Sequence, residues 1–261
     1  MTEDGCQVDA DRPAPDAASG VHEVVLELLS QDKPGRLLDA PAGEGAFASR
    51  ARERGHDVFC GDIDPTRFRL KGLECQYLDL NQPWPFASER FDHVVSIEAV
   101  EHLENPWHLI REANRVLRPG GKIIMTTPNV LSIRSRLSNL LYGYPNYFHY
   151  MIERSQGIQD ELPVDHINPV GFCELRHVLS RTGFCMERIC ANRLVKHRSL
   201  AYGFMKRLLR MRGKTHGRND PARAQVRDWL LSDQLLFGEI LIIKATKLSG
   251  LDSSKLAKET E

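Results

Sequence analysis

Short apolar runs alternate along the chain with longer segments in which apolar residues recur at helical spacing. The longer segments predict helices at 21–31, 46–54, 106–117, 170–181 and 224–231. The short runs predict strands at 36–39, 58–62, 74–78, 91–97, 122–127, 184–189 and 235–245. Because strands and helices alternate over most of the chain, we predict an α/β fold, doubly wound around a mainly parallel seven-stranded sheet.

Two segments depart from this alternation. Residues 130–150 are rich in Leu, Tyr and Phe and contain no acid, which predicts a helix followed by an aromatic loop. Residues 193–218 contain nine Lys or Arg, two His and no acid, with apolar residues recurring among them, which predicts a basic amphipathic helix. Such a helix either packs on the domain with a solvated basic face or contacts anionic lipid or a phosphate-bearing substrate.

The composition narrows the class of protein. A chain of 261 residues, 41% of them hydrophobic, can form one large domain or a domain with a cap. A formal net charge of zero provides no overall attraction to nucleic acid. No run of eighteen apolar residues predicts a transmembrane span. The six cysteines show no C-x-x-C spacing, which favours reduced structural thiols and a cytoplasmic protein.

The pattern also predicts the domain organisation. Residues 1–20 lack the basic and apolar regions of a secretory signal, and we expect a disordered leader. We expect a domain at 21–247 with lid or cap insertions at about 130–168 and 193–233, then a loose polar tail at 248–261. A basic amphipathic helix can bind a membrane surface, so the predicted location includes the inner face of a membrane.

The first predicted strand ends in the most specific pattern of the chain. Its apolar run stops at Asp39, and a turn containing Pro41, Gly43 and Gly45 precedes a helix. Gly43 leaves room for a ligand against the backbone, and Gly45 lets the loop close into the helix, whose free N–H groups face the ligand. Asp62 ends the next apolar run, about 20 positions further on, where a carboxylate can bind a ribose.

Two classes of cofactor use this geometry. A dinucleotide fold requires G-x-G-x-x-G, but here Pro41 occupies the first glycine position and position 48 holds an alanine instead of a glycine. Asp39 would repel a pyrophosphate and suits an ammonium. A nucleoside with an amino-acid tail, S-adenosylmethionine, therefore fits better; the remaining alternative is a turn that binds no ligand.

Asp39-x-x-x-Gly43-x-Gly45 resembles the first motif of class I methyltransferases, D/E-x-G-x-G-x-G. Pro41 departs from that motif because proline has no N–H to offer a cofactor. The resemblance runs from 37 to about 129 and includes Asp62, the pair 79–80, the strand at 91–94, the pair 101–102 and the segment 116–121. It implies a Rossmann-like sheet whose last strand is antiparallel, with a helical lid or cap after the fifth strand.

The resemblance also implies S-adenosylmethionine as the cofactor and a role for each acid. The turn backbone at Ala40, Ala42 and Gly43 would hold the methionine end, and Asp39 would accept from its ammonium. Asp62 would bind both ribose hydroxyls and Asp79 the adenine amino group; the alternative for each is a helix cap or a surface carboxylate. The residues expected to bind the cofactor are Asp39, Ala40, Ala42, Gly43, Gly45, Asp62, Ile63, Asp79, Leu80 and Glu98.

Methyl transfer from a sulfonium requires alignment of donor and acceptor, and a hydroxyl or amine acceptor must also lose a proton. His102, His149 and His166 are the candidate bases. Glu98, Glu101 and His102 stand at helical spacing and would share one face of a turn.

This E-x-x-E-H resembles a signature of ubiquinone-pathway O-methyltransferases and of small-RNA 3′-end 2′-O-methyltransferases. The resemblance implies a divalent metal at Glu98, Glu101 and His102, with a later histidine helping. The alternative, which we favour, is that the Glu-His pair only closes the cofactor site, as in metal-free relatives.

We therefore predict an S-adenosylmethionine-dependent methyltransferase acting on an oxygen of a small-molecule, lipid-linked or glycan acceptor. The lid and the segment Asp165-His166-Ile167-Asn168-Pro169 resemble bacterial methyltransferases found with glycan-assembly enzymes. The alternatives are a metal-assisted RNA 2′-O-methyltransferase and a cofactor-binding scaffold without catalysis. An aromatic acceptor pocket is expected from Tyr142, Tyr144, Tyr147, Phe148 and His149.

Overall fold

A computed structural model describes residues 13–148, 166–195, 200–213 and 221–249. Its helices are α1 (Val21–Leu29), α2 (Ala46–Arg52), α3 (Pro106–Val116), α4 (Ile133–Tyr142), α5 (Phe172–Arg181), α6 (Leu200–Gly213), α7 (Pro221–Leu230) and α8 (Asp233–Phe237). Its strands are β1 (Arg36–Asp39), β2 (Asp57–Asp62), β3 (Cys75–Tyr77), β4 (Phe91–Ser96), β5 (Leu117–Pro128), β6 (Phe184–Ala191) and β7 (Ile240–Lys247). Short 3-10 turns lie at Pro65–Arg67 and Val100–His102.

The seven strands form one sheet in the order β3-β2-β1-β4-β5-β7-β6. The first five strands run parallel, and β7 runs antiparallel to both β5 and β6. The predicted fold class, including the antiparallel last strand, is confirmed. The strand order reverses direction between β1 and β4, which is where open α/β sheets bind their ligands.

Helices cover both faces of the sheet, and two neighbouring residues of β1 pack into the cores on opposite faces. Leu38 packs into a core with α3 and α5, whereas Leu37 packs into a second core with α1 and α2. Both side chains are fully buried, as expected of a central parallel strand with helices on each side. A third cluster joins α4, α6 and α8 through the buried residues Ile133, Leu236 and Phe237.

The predicted strand at 235–245 is partly wrong. Its first residues belong to α8, which begins after Ser232, and β7 begins only at Ile240. The Ser232 side chain accepts a hydrogen bond from the Leu235 amide, as a helix cap does. At the other end, Nδ2 of Asn129 donates to the carbonyl oxygens of Gln234, Leu235 and Gly238 at 2.9–3.2 Å. These caps satisfy the helix termini, which an apolar run alone does not reveal.

Other expectations need smaller corrections. The strand predicted at 122–127 begins earlier, because residues 117–121 also belong to β5, and the pairing of β4 with β5 shifts register between Phe91 and His93. The strand at 74–78 shortens to β3, and it is not buried because it lies at the edge of the sheet; Tyr77 is 63% exposed. The described part of the basic helix predicted at 193–218 contains α6, while residues 196–199 and 214–218 lie outside the described residues. No helix among the described residues is long and apolar enough to cross a membrane.

Candidate functional site

A cavity of about 550 Å³ opens at the carboxyl ends of β1, β2 and β4. Because parallel strands direct their carboxyl ends to the same edge, the residues that follow each strand meet there. The predicted cofactor residues in its wall are Asp39, Ala42, Gly43, Asp62, Ile63, Asp79, Leu80 and Glu98. The sequence prediction therefore brought together residues that lie far apart in the chain.

Asp39 is the most deeply buried acid of this wall, with 1% of its surface exposed. Neither of its carboxylate oxygens has a hydrogen-bond partner among the described residues. Burial, together with the nearby charge of Asp62, holds the pKa of the Asp39 carboxyl well above its usual range. A cationic ligand group in the cavity would restore its charge, so an ammonium fits this position.

The turn after β1 offers fewer amides than predicted. The amide of Ala40 donates to the Val95 carbonyl and that of Ala42 to the Gly61 carbonyl, each at 3.0 Å. The Gly43 amide donates to Oδ2 of Asp62 at 2.8 Å. Because all three N–H groups are paired within the protein, none of the three is available to donate to a ligand.

Ala40 and Gly45, both predicted to bind the cofactor, lie outside the cavity wall. Ala40 is buried within the sheet, where its amide completes the pairing of β1 with β4. Gly45 has a φ of 94° and precedes α2, so it closes the turn as predicted. A side chain there would also meet Cε2 of Phe68 at 2.7 Å. Packing, rather than ligand contact, requires this glycine.

Asp62 is well placed for a diol. Its Oδ2 accepts from the Gly43 amide and its Oδ1 from the Asp64 amide at 3.0 Å. These bonds fix the carboxylate, and each oxygen keeps a further lone pair that can accept from a hydroxyl. Asp79 is held in a similar way, because its Oδ1 accepts from the Asn81 amide at 2.8 Å.

The segment 13–19 crosses the mouth of the cavity, and Ala14, Pro15, Asp16 and Ala17 line it. The Ala14 amide donates to Oε2 of Glu44 at 3.2 Å, and Asp16 pairs with Arg67 at 2.8 Å. The expectation of a disordered leader is therefore wrong for 13–20, while residues 1–12 lie outside the described part of the chain. The Pro- and Ala-rich sequence of this segment carries no periodic signal that would have identified it.

His22 also lines the cavity, and the sequence pattern did not predict it as a site residue. It lies on α1, and its ring packs edge-on against Phe47 at 5.5 Å. Burial lowers the pKa of His22 to about 4, with a smaller contribution from the charge of Arg50. The ring is therefore neutral at pH 7.

The three residues of the E-x-x-E-H pattern do not share one helical face as predicted. Glu98 precedes the 3-10 turn with a φ of 47°, and its carboxylate accepts from the Ala18 amide at 3.4 Å. Glu101 is fully buried on the turn, and burial raises the pKa of its carboxyl to about 8. The irregular backbone at Glu98 breaks the helical spacing and separates the two acids.

His166, and not Glu98, lies beside Glu101 and His102. Oxygen and nitrogen atoms of Glu101, His102 and His166 lie within 4.8 Å of one another. The rings of His102 and His166 are 4.7 Å apart, and both histidines line the cavity. Asn168 brings this loop to the turn, because its amide donates to the Glu101 carbonyl and its Nδ2 to the Leu103 carbonyl.

These three side chains have the donor set of a divalent-metal site, with one carboxylate and two imidazoles. Both buried oxygens of Glu101 are recorded without a hydrogen-bond partner among the described residues. A metal ion would lower the pKa of the Glu101 carboxyl and use those oxygens. The residues thus fit an ion, with Glu98 excluded from the predicted ligand set.

The aromatic residues after α4 do not form the expected pocket. Among the described residues, Tyr142, Tyr144, Tyr147 and Phe148 are all absent from the cavity wall. Tyr142 ends α4 and is 68% exposed, and Phe148 is fully buried 5.4 Å from the His166 ring. The Tyr147 hydroxyl donates to Glu239 instead. His149 lies outside the described residues.

Comparison with known proteins finds relatives that are named as methyltransferases. Residues 38–125 match the family described as "Methyltransferase domain". A Mycolicibacterium smegmatis protein named "Probable S-adenosylmethionine-dependent methyltransferase" is 35% identical over 173 residues, covering 64% of this chain and 58% of that protein. A ubiquinone biosynthesis O-methyltransferase of Cereibacter sphaeroides is 29% identical over 102 residues, covering 36% and 41%. The chain thus spans about half the length of these relatives.

A solved structure shows the same fold. The crystal structure of a SAM-dependent methyltransferase from Archaeoglobus fulgidus superimposes with a TM-score of 0.55 over 87% of this chain and 94% of that one, at 18% identity. S-adenosylmethionine is the cofactor of the family, and the cavity with its buried Asp39 and fixed Asp62 fits it. Residues 38–125 therefore match a methyltransferase domain, and the chain has the fold of a solved S-adenosylmethionine-dependent methyltransferase.

Proposed function

We propose that this protein transfers the methyl group of S-adenosylmethionine to an oxygen of a small-molecule, lipid-linked or glycan acceptor. One observation carries the proposal: His102 and His166 lie in the wall of the same cavity as Asp39 and Asp62. A cofactor anchored at the two acids and a proton acceptor near the reacting group are what transfer to a hydroxyl requires.

Asp39 and Asp62 would hold the two ends of the cofactor. The Asp39 carboxylate suits the ammonium of the methionine part, and Asp62 suits the ribose hydroxyls. S-adenosylmethionine supplies an already activated methyl group when bound. The remaining work of the chain is to align the acceptor and exclude water.

His166 is the better of the two candidate bases. Its Nδ1 lies 3.0 Å from the Tyr147 carbonyl oxygen, which can only accept a hydrogen bond. In the neutral ring Nδ1 therefore carries the hydrogen, and Nε2 is the nitrogen that can take a proton from a hydroxyl. Tyr147 thus acts through its backbone, as a positioning residue.

The acceptor class is supported by the relatives rather than by the cavity. One relative is named as an O-methyltransferase of ubiquinone biosynthesis, and that name specifies transfer to oxygen. The cavity wall combines apolar side chains with His102 and His166, which suits an acceptor that carries a hydroxyl. RNA is disfavoured by the formal net charge of zero.

The first experiment is transfer of labelled methyl from S-adenosylmethionine into an extract of the source cells, followed by separation into lipid, glycan, small-molecule, RNA and protein fractions. Asp62→Ala is expected to lose both cofactor binding and label. Asp57→Ala is the matched control, since Asp57 is a largely exposed acid at the far end of β2. Label confined to RNA or protein would overturn the proposed acceptor class.

The base is tested separately. His166→Gln is expected to retain cofactor binding by calorimetry and to lower the transfer rate about 100-fold, the usual contribution of a general base. Unchanged transfer in this variant would remove His166 from the mechanism.

A second candidate is metal-assisted methylation of an RNA 2′-hydroxyl, and the Glu101, His102 and His166 cluster favours it. A divalent ion there would lower the pKa of an acceptor hydroxyl. Activity lost in excess chelator and restored by Mg²⁺, Mn²⁺ or Zn²⁺, with label in RNA, would support this candidate. Full activity in chelator would remove it. Tight cofactor binding without transfer to any acceptor would support the alternative of a cofactor-binding scaffold without catalysis.

A further inference from the structure

Helix α6 has apolar residues on two opposite faces. One face packs on the domain, where Tyr202, Met205 and Leu209 contact the cluster formed with α4 and α8. Lys206 also turns toward the domain, since it pairs with Asp233 and lies 5.5 Å from the Phe237 ring. These contacts fix the orientation of α6, so its opposite face must point away from the domain.

That opposite face is also apolar. Leu200, Phe204, Leu208 and Met211 are 92%, 65%, 46% and 60% exposed. Their spacing of three or four residues places them within an arc of about 80° on one side of the helix. We call these four residues the α6 stripe. Apolar side chains scattered singly over a surface are normal, but a helical stripe this regular marks an interaction surface.

The segment that contains the α6 stripe carries charge of one sign in its sequence, although Arg193 and Lys206 pair with acids of the domain. Arg207 is exposed and lies at the edge of the same arc. The segment 193–218 has nine Lys or Arg and no acid, although the whole chain has a formal net charge of zero. The cations are therefore concentrated in one segment and balanced by acids elsewhere.

We propose that α6 docks this protein on an anionic lipid bilayer, with the α6 stripe inserted among the acyl chains and the basic residues at the headgroups. An amphipathic helix with an apolar face and flanking cations is the structure that binds such a surface in the plane of the membrane. A protein partner or a second copy would need acids facing the segment, whereas a bilayer supplies anionic charge everywhere along the helix.

The docking surface is connected to the candidate site. Tyr202 of α6 lines a small pocket together with Tyr147 and Glu239. Tyr147 in turn holds His166 at the cavity wall. The packed face of α6 is thus linked through Tyr147 to the candidate site, while the α6 stripe lies on the opposite face of the helix.

The test is co-sedimentation of the full chain with vesicles of phosphatidylcholine, with and without phosphatidylglycerol. We expect binding to the anionic vesicles only, and weaker binding as NaCl is raised from about 0.1 to about 0.5 M. Phe204→Glu and Leu208→Glu should each lower the partition coefficient about tenfold or more, because each removes one inserted side chain and adds a repelled charge.

The matched control is Tyr77→Glu, which places the same charge on a similarly exposed aromatic of β3, a strand at the edge of the sheet. It should bind vesicles like the unchanged protein, and thermal unfolding should be the same for all variants. Equal binding of Phe204→Glu and the unchanged protein would overturn the proposal. So would a dimer in sedimentation equilibrium that Phe204→Glu converts to monomer, since the stripe would then be covered by a second copy.

Discussion

Asp39 and His22 are two ionisable side chains that the fold buries beside the candidate cofactor cavity. Neither carboxylate oxygen of Asp39, nor Nδ1 of His22, has a hydrogen-bond partner among the described residues. Burying such groups costs free energy of folding unless their charged forms are suppressed. The shifted pKa values, raised for Asp39 and lowered for His22, are the result.

The lowered pKa of His22 predicts a specific pH dependence of stability. In the unfolded chain the histidine takes up a proton near pH 6.5, whereas in the folded protein it does so only near pH 4. Between these values the unfolded state binds more protons, so stability falls as the pH falls through this range. The loss amounts to about 1.4 kcal/mol per unit of pKa difference, on the order of 3 kcal/mol in total.

His22→Gln should remove this loss while leaving the other titrating groups unchanged. The measurement is the free energy of unfolding in urea at pH 7 and pH 4.5, for both proteins. The unchanged protein should lose more stability than the variant over this interval. Parallel losses would mean that His22 titrates normally in the folded state.

At the level of elements, the segment 13–19 acts on the cofactor cavity from outside the sheet. It is attached at three places, through Glu44, Arg67 and Glu98. The Asp16–Arg67 pair is about half exposed on both sides, so it contributes no more than about 1 kcal/mol. Breaking this ion pair should therefore loosen the segment 13–19 and speed cofactor exchange, without unfolding the domain.

We predict that Arg67→Glu raises the dissociation rate of S-adenosylmethionine about threefold, with little change in unfolding temperature. Stopped-flow measurement of cofactor release tests this. Arg36→Glu is the control, because Arg36 also forms an exposed ion pair, with Asp57, at the far end of the sheet. The double exchange Asp16→Arg, Arg67→Asp should restore the slow rate. If it does not, the ion pair does not hold the segment in place.

The observed bounds of the elements also show which parts of the structure the local sequence pattern determines. Strands β1, β2 and β4 were predicted within one residue, because central parallel strands are continuous apolar runs between turn residues. The start of β7 was predicted wrongly. Residues 235–237 of α8 and the strand β7 belong to one apolar run, and the division between them depends on caps from Ser232 and Asn129. Asn129 lies more than 100 positions away, beyond the reach of any local pattern.

The same limit applies to the site. Asp39 and Asp62 were predicted from strand ends and spacing and Asp79 from the family resemblance, and the topology brings the three together. The pairing of His166 with His102 was not, because it depends on Asn168 bonding to the 3-10 turn across the chain. The segment 13–19 was missed for a similar reason, as its contacts with the cavity are entirely long-range.

For the molecule as a whole, stability should depend most on β7. Ile242 is fully buried and pairs with both Thr126 of β5 and Cys190 of β6. Ile242→Ala should lower the free energy of unfolding by about 2–5 kcal/mol, measured by urea denaturation. Leu200→Ala, at a residue that is 92% exposed, should change it by less than about 0.5 kcal/mol. A similar small effect at both positions would mean that β7 is not integral to the core.

The place of β7 between β5 and β6 has a consequence for synthesis on the ribosome. Strand β6 leaves the ribosome before β7, yet it reaches the sheet only through β7. Until residues 240–247 emerge, the nascent chain carries an open edge on β5 and an unpaired β6, both able to join strands of other chains. Chaperone demand should therefore persist to the last strand, and a chain released before it would aggregate rather than fold as a smaller domain.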